Sequence, residues 1–205
     1  MTPYDFLIDT YETEILKVLS VWSMFDDADM AQRPRADHVR GRNLHEQMVH
    51  QCISENLWFS NMLGIDVTES PLPEPETRVG FIERYGRDAE ARLIALRDRN
   101  EQWWRETVDF FDMRRSRAWI MTRRIAHTAH HRGQQTAMLR ASGRDLHSTY
   151  GPTADTGGLM QNKAPVVYAY PDVDSLQREE SSNRKKTTLP GPGINPVTER
   201  PSATL

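Results

Sequence analysis

The seven histidines, His38, His45, His50, His127, His130, His131 and His147, are unevenly spread, and three of them fall within five residues. His127 and His131 stand four apart, so on a helix their side chains leave one face about 5 to 6 Å from each other and suit neighbouring positions around one divalent ion. A third donor has to come from another segment. His50 qualifies, because Ile53 and Leu57, three and seven residues on, give it a share in an apolar face that should turn inward. Three imidazoles with open positions activate water or take an anionic substrate group. The same spacing also fits two surface histidines, and His50 alone also fits a core histidine bonded to a carbonyl. His130 lies one residue off the shared face and reads as an outer contact or a surface residue. Glu55 is rotated away from His50 and reads as a partner for an arginine or as a cap. The single cysteine, Cys52, excludes an internal disulfide and a thiolate zinc site, and it reads as a small core residue.

Helices must position these groups. Residues 3–26 follow the pair Thr2-Pro3 and place Tyr4, Leu7, Ile8, Tyr11, Ile15, Val18, Leu19, Trp22 and Phe25 at steps of three and four, which predicts one amphipathic helix. After a charged loop, Asn43 and Glu46 form a capping box that starts a second helix running to Leu63, where Gly64 ends it. Three prolines in IDVTESPLPEPE then make a long connection, which lets a third helix, 76–105, run parallel to the second despite Gly86. The segment TVDFFDMRRS has β-branched and aromatic residues but no evident partner, so a structured connection without strands is expected. A fourth helix spans 116–142, with Gly143 as its terminator. Trp103, Trp104 and Trp119 read as core.

The fold class is therefore all-α: a four-helix bundle over 1–145, with a long loop between helices two and three. Residues 146–178 have turn composition and are expected to wrap the bundle irregularly, since VVYAY is too short to found a sheet. Residues 179–205 are rich in charge and proline with little to bury, so they are expected to be disordered unless a partner orders them. With 26 basic and 29 acidic residues, a formal charge of -3 provides no field for a nucleic-acid backbone. No stretch approaches the roughly 20 apolar residues of a membrane span, and the acidic start MTPYDFLIDTYETE is unlike a signal peptide, so a cytoplasmic protein without membrane partners is expected.

The run His127-Thr-Ala-His130-His131-Arg132-Gly133-Gln134, followed by Met138-Leu139-Arg140 and Gly143, resembles the last-helix signature of the DinB/YfiT-like family, the DNA-damage-inducible four-helix-bundle proteins. The segment Leu44–Trp58, with His50 at its middle, is similar to that family's other ligand segment, and the likeness spans about residues 4–145. Carried over residue by residue, it makes His50, His127 and His131 the metal ligands. It further implies a divalent ion such as nickel or zinc, a bundle that dimerises, and a relation to S-transferases and isomerases that use bacillithiol, mycothiol or glutathione. Two functions follow as expectations. One is a metal- and thiol-dependent transferase acting on a small electrophile in stress or detoxification. The other is a non-catalytic, stress-induced metal-binding or interaction protein whose ion is structural. Hydrolysis ranks lower, because no carboxylate base is evident near the three histidines.

Overall fold

The computed structural model describes residues 2–35, 40–67, 70–196 and 198; His38 therefore lies outside the described residues. The four expected long helices are present. Helix α1 (Asp5–Met24) buries Leu7, Ile8, Tyr11, Ile15, Val18, Leu19 and Trp22, the three-and-four spacing seen in the sequence. Its start is tied by Thr2, whose hydroxyl donates to Asp5 Oδ1 at 2.7 Å. Helix α2 (Leu44–Trp58) begins with the expected capping box: the Glu46 N–H donates to Asn43 Oδ1 at 2.7 Å, and the Asn43 N–H donates to Glu46 Oε2 at 2.9 Å. It runs into a wider π-turn over Phe59–Leu63, which Gly64 closes at φ +65°.

The third segment departs from expectation. Helix α3 (Arg78–Arg97) stops early, and a separate short helix, α4 (Glu101–Arg105), follows. The break arises because the Asn100 side chain accepts from the Trp103 N–H at 2.9 Å, capping a new helix where a continuous one would need that donor for its own ladder. The connection expected to lack strands is a hairpin: β1 (Thr107–Phe110) pairs antiparallel with β2 (Met113–Ser116), Thr107 facing Ser116 and Phe110 facing Met113. Each strand's partner is the other half of the same short segment. Phe111, in the tight turn, takes φ +53°. Helix α5 (Arg117–Ala141) is capped by Ser116, which accepts from the Trp119 N–H at 3.2 Å, and is followed by Gly143 at φ +67°.

Helices α1 and α2 each lie against both α3 and α5, and Trp22, Phe25, Phe81, Ile82, Trp104, Ile120, Met121 and Leu139 fill the interior. Trp104 is fully buried, whereas Trp119, read as core, is 41% exposed beside the hairpin.

The C-terminal region also corrects the reading. Beyond two single 3-10 turns, residues 146–178 contain most of a further helix, α6 (Val173–Glu180), which is capped by Asp172 and packs on α1 and α3 through Leu176. Gly86 permits this contact: a Cβ there would stand 2.3 Å from Gln177 Nε2. The following residues are held by charge rather than apolar burial. Glu180 is buried and accepts from Tyr170 at 2.5 Å, Arg78 at 2.6 Å, Lys186 at 2.9 Å and Arg184 at 3.2 Å. Arg184 in turn donates to the carbonyls of Ser23 and Phe25 at the end of α1. Residues 180–187, expected to lack a reason to order, are thus packed on the bundle by a buried ionic network.

Candidate metal centre

Helix α2 supplies His50, and α5 supplies His127 and His131. One nitrogen from each ring can be chosen so that all three lie within 4.8 Å of one another. His127 Nε2 and His131 Nε2 are 3.3 Å apart, close to the roughly 3.4 Å expected of two nitrogens about 2.1 Å from one tetrahedral ion. The His50 ring lies 4.7 Å from that of His131 and 5.6 Å from that of His127, centroid to centroid.

The apolar face that was expected to carry His50 inward is misplaced by part of a turn. Leu57 is 50% exposed, and the buried face of α2 is Leu44, Gln47, Met48, Gln51, Cys52 and Glu55. His50 therefore stands at the edge of the interior, half-buried, where its ring meets α5 and still reaches solvent.

Hydrogen bonds assign the tautomers. The Gln134 amide N–H donates to His130 Nε2 at 3.1 Å, which leaves Gln134 Oε1 to accept the Nδ1–H of His131 at 3.1 Å. His131 Nε2 then presents a lone pair toward His127. His127 Nδ1 is buried with no hydrogen-bond partner among the described residues, so His127 carries its proton on Nε2 and donates it to His131. To ligate an ion through Nε2 as a neutral imidazole, His127 would carry this proton on Nδ1 instead. Burial lowers the His127 pKa to about 3 and that of His131 to about 4, with Arg124 adding to the first and His50 to the second. Burial lowers His50 as well, with Arg42 contributing. All three are neutral imidazoles at pH 7, the form that ligates a cation. The donor set thus fits a divalent metal ion.

The other histidines serve elsewhere. His45 Nε2 meets Glu76 at 2.6 Å, and His147 Nε2 donates to the Thr187 carbonyl at 2.7 Å. His130 is exposed and acts through Gln134, an outer contact as expected. Glu55 is an arginine partner. Fully buried, it accepts from Tyr11 at 2.6 Å, Tyr85 at 2.8 Å and Arg92 at 3.3 Å, and it pairs with Arg124 at 3.3 Å. Sequence reasoning missed Trp58 and Arg124. The Trp58 ring stacks on His127 at 5.8 Å, and the Arg124 guanidinium lies over Trp58 at 5.6 Å while donating to Thr128 at 3.1 Å. The available signal was spacing: Arg124 precedes His127 by three residues, and Trp58 follows His50 by eight.

Beside the three rings is an open hollow of about 370 Å³, lined by Arg42, His50, Arg123, His127, His130 and His131. No carboxylate lines it among the described residues.

Fold and site together define a mostly helical bundle protein with a three-histidine cluster of metal-binding type. The sequence model of the DinB family matches residues 19–162, which include all three histidines, and the chain belongs to the DinB family. The crystal structure of a DinB-like protein from Bacillus cereus has the same fold, with a TM-score of 0.61 at 19% identity over 70% of this chain and 95% of that one. No curated protein matches the sequence.

Proposed function

We propose that His50, His127 and His131 hold one divalent ion, nickel or zinc, and that the protein is a metal- and thiol-dependent transferase acting in stress or detoxification as a cytoplasmic homodimer. The observation that carries the reading is the convergence of three neutral imidazoles beside an open hollow with no carboxylate among its described lining residues. When bound, an ion with three neutral ligands keeps its full charge and lowers the pKa of a thiol that reaches it.

The chain's own residues prepare for this. Gln134 holds the His131 ring with Nε2 inward, and Trp58 supports the face of His127. Among the described residues no carboxylate base for water lines the hollow, which favours transfer over hydrolysis. Nor is the thiol internal. Burial pushes the Cys52 pKa far up, so this thiol stays protonated. An external thiol such as glutathione, bacillithiol or mycothiol must therefore supply the sulfur, with a small-molecule electrophile as acceptor. A purely structural ion would call for a fourth protein ligand; the described lining residues offer no carboxylate, and His130 Nε2 is engaged by Gln134.

The test is metal analysis of the purified protein and of His131→Ala, followed by titration of cobalt-substituted protein with each thiol. One ion per chain in the wild type, its loss in the variant, and a sulfur-to-metal charge-transfer band with one thiol are expected. Full metal content in His131→Ala would overturn the ligand set. A cobalt spectrum unmoved by all three thiols would overturn the transfer chemistry and return the non-catalytic reading.

A further inference from the structure

The hollow beside the histidines is lined by two guanidinium groups from different elements, Arg42 in the loop just before α2 and Arg123 on α5. Neither has an ion-pair partner among the described residues. Both are exposed, in contrast to the buried arginines Arg78, Arg92, Arg124 and Arg132, which are all matched to carboxylates. Both cations act electrostatically on the cluster, Arg42 on His50 and Arg123 on His127. His130, on the same wall, accepts from Gln134 through Nε2 and so keeps an Nδ1–H to donate. With a divalent ion in place, the hollow would collect four formal positive charges and, among the described residues, no protein anion.

We infer that Arg42 and Arg123 form an anion-recognition rim, and that the small molecule taken by this site carries at least two anionic oxygens, in carboxylate or phosphate groups, that bridge the two guanidiniums beside the ion. The inference rests on the proposed metal site and names the substrate class that site would accept. Its basis is charge matching. Guanidinium groups bind carboxylate and phosphate by paired charge-assisted hydrogen bonds, and a low-dielectric wall with one sign of charge concentrates the opposite sign. A neutral substrate would leave these charges uncompensated. Helix α5 places Arg123 one turn before His127, so an anion held there lies next to the ligating edge.

The experiment uses wild type, Arg42→Gln, Arg123→Gln and the double variant, each examined metal-free and loaded with cobalt. Inorganic phosphate and succinate are titrated by calorimetry, with neutral succinamide as control. Both substitutions are at exposed positions, so circular dichroism and thermal midpoints should stay unchanged, and each variant should still bind one cobalt ion. Phosphate or succinate should bind the wild type, succinamide should not, and each single substitution should weaken anion binding roughly tenfold. The stronger of the two anions identifies the headgroup. Anions that bind the wild type no better than succinamide overturn the inference, as does a double variant that binds them like the wild type. Failure of cobalt to bind the wild type would defeat the metal reading instead; arginine-dependent anion binding by the metal-free protein would then still support the rim, and its absence would defeat both.

Discussion

His127 and His131 resist protonation because their rings are removed from water, and this sets how the site responds to acid. Their folded pKa values, about 3 and about 4, lie below the ordinary 6.5. Below pH 6.5 the unfolded chain takes up protons that the folded chain refuses, so the metal-free protein should lose stability as pH falls from about 6.5 towards 4 and regain it above. The same shift protects metal binding. Three ordinary histidines would cost roughly a thousandfold in affinity at pH 5.5, one factor of ten per proton displaced. Here His127 and His131 are already neutral at pH 5.5 and His50 is shifted in the same direction, so competitive cobalt titration at pH 7.5 and 5.5 should differ far less, with circular dichroism verifying that the fold persists. A full thousandfold loss would contradict the burial argument. Glu55 gives a second prediction at this scale: Glu55→Gln leaves Arg92 and Arg124 buried without their anion and should cost about 3 to 5 kcal/mol in urea unfolding. A change under about 1 kcal/mol would show that the neutral acceptors suffice to hold these arginines: Asn56 for Arg92, at 3.3 Å, and Ser54 and Thr128 for Arg124, each at 3.1 Å.

At the scale of elements, α6 and the residues after it should matter more than their composition suggests. Removing residues 189–205 takes away no buried residue among those described and should leave stability within about 1 kcal/mol. Removing 173–205 also exposes the site of Leu176 and strips Glu180 from the buried Arg78, a loss of at least about 3 kcal/mol by either mechanism. Equal denaturation midpoints for the two truncations would refute this account. The difference between what could be read in the sequence and what could not has the same origin. Helices α1 and α5 were legible because regular apolar steps and side-chain caps act within a few residues of one another. So was the start of α2, through Asn43 and Glu46. The His127–His131 pair was legible from a four-residue spacing on one helix; His50 came from an apolar-face reading whose Leu57 faces solvent and from the likeness of Leu44–Trp58 to the family's ligand segment. Helix α6 was not, because one leucine carries its burial and the rest of its anchoring comes from Arg78, Tyr170, Arg184 and Lys186, distant partners that no local pattern reveals. The hairpin escaped because each strand is four residues long, and the Asn100 break because one side chain diverts a donor inside a continuous periodic run.

For the molecule as a whole, the proposed ion would join two of the four long helices, so its binding must report on global stability rather than on a loop. His50 lies on α2, while His127 and His131 lie on α5, and both helices pack on α1 or α3 through the common interior. An unfolded chain has no preformed triad, so an ion that favours the folded state stabilises it by the logarithm of its excess over the dissociation constant, about 4 kcal/mol at a thousandfold excess. For a domain of this length, each kcal/mol raises the thermal midpoint by roughly 2 to 4 °C. Free zinc or nickel at a thousandfold excess over the dissociation constant should therefore lift the midpoint by about 8 to 16 °C, and chelation should reverse it. His50→Ala should abolish the lift as fully as His131→Ala, because either change breaks the bridge between the helices. A midpoint that rises with metal in His50→Ala would locate the ion on α5 alone. The bridging role would then be wrong even if His127 and His131 bind metal as a pair.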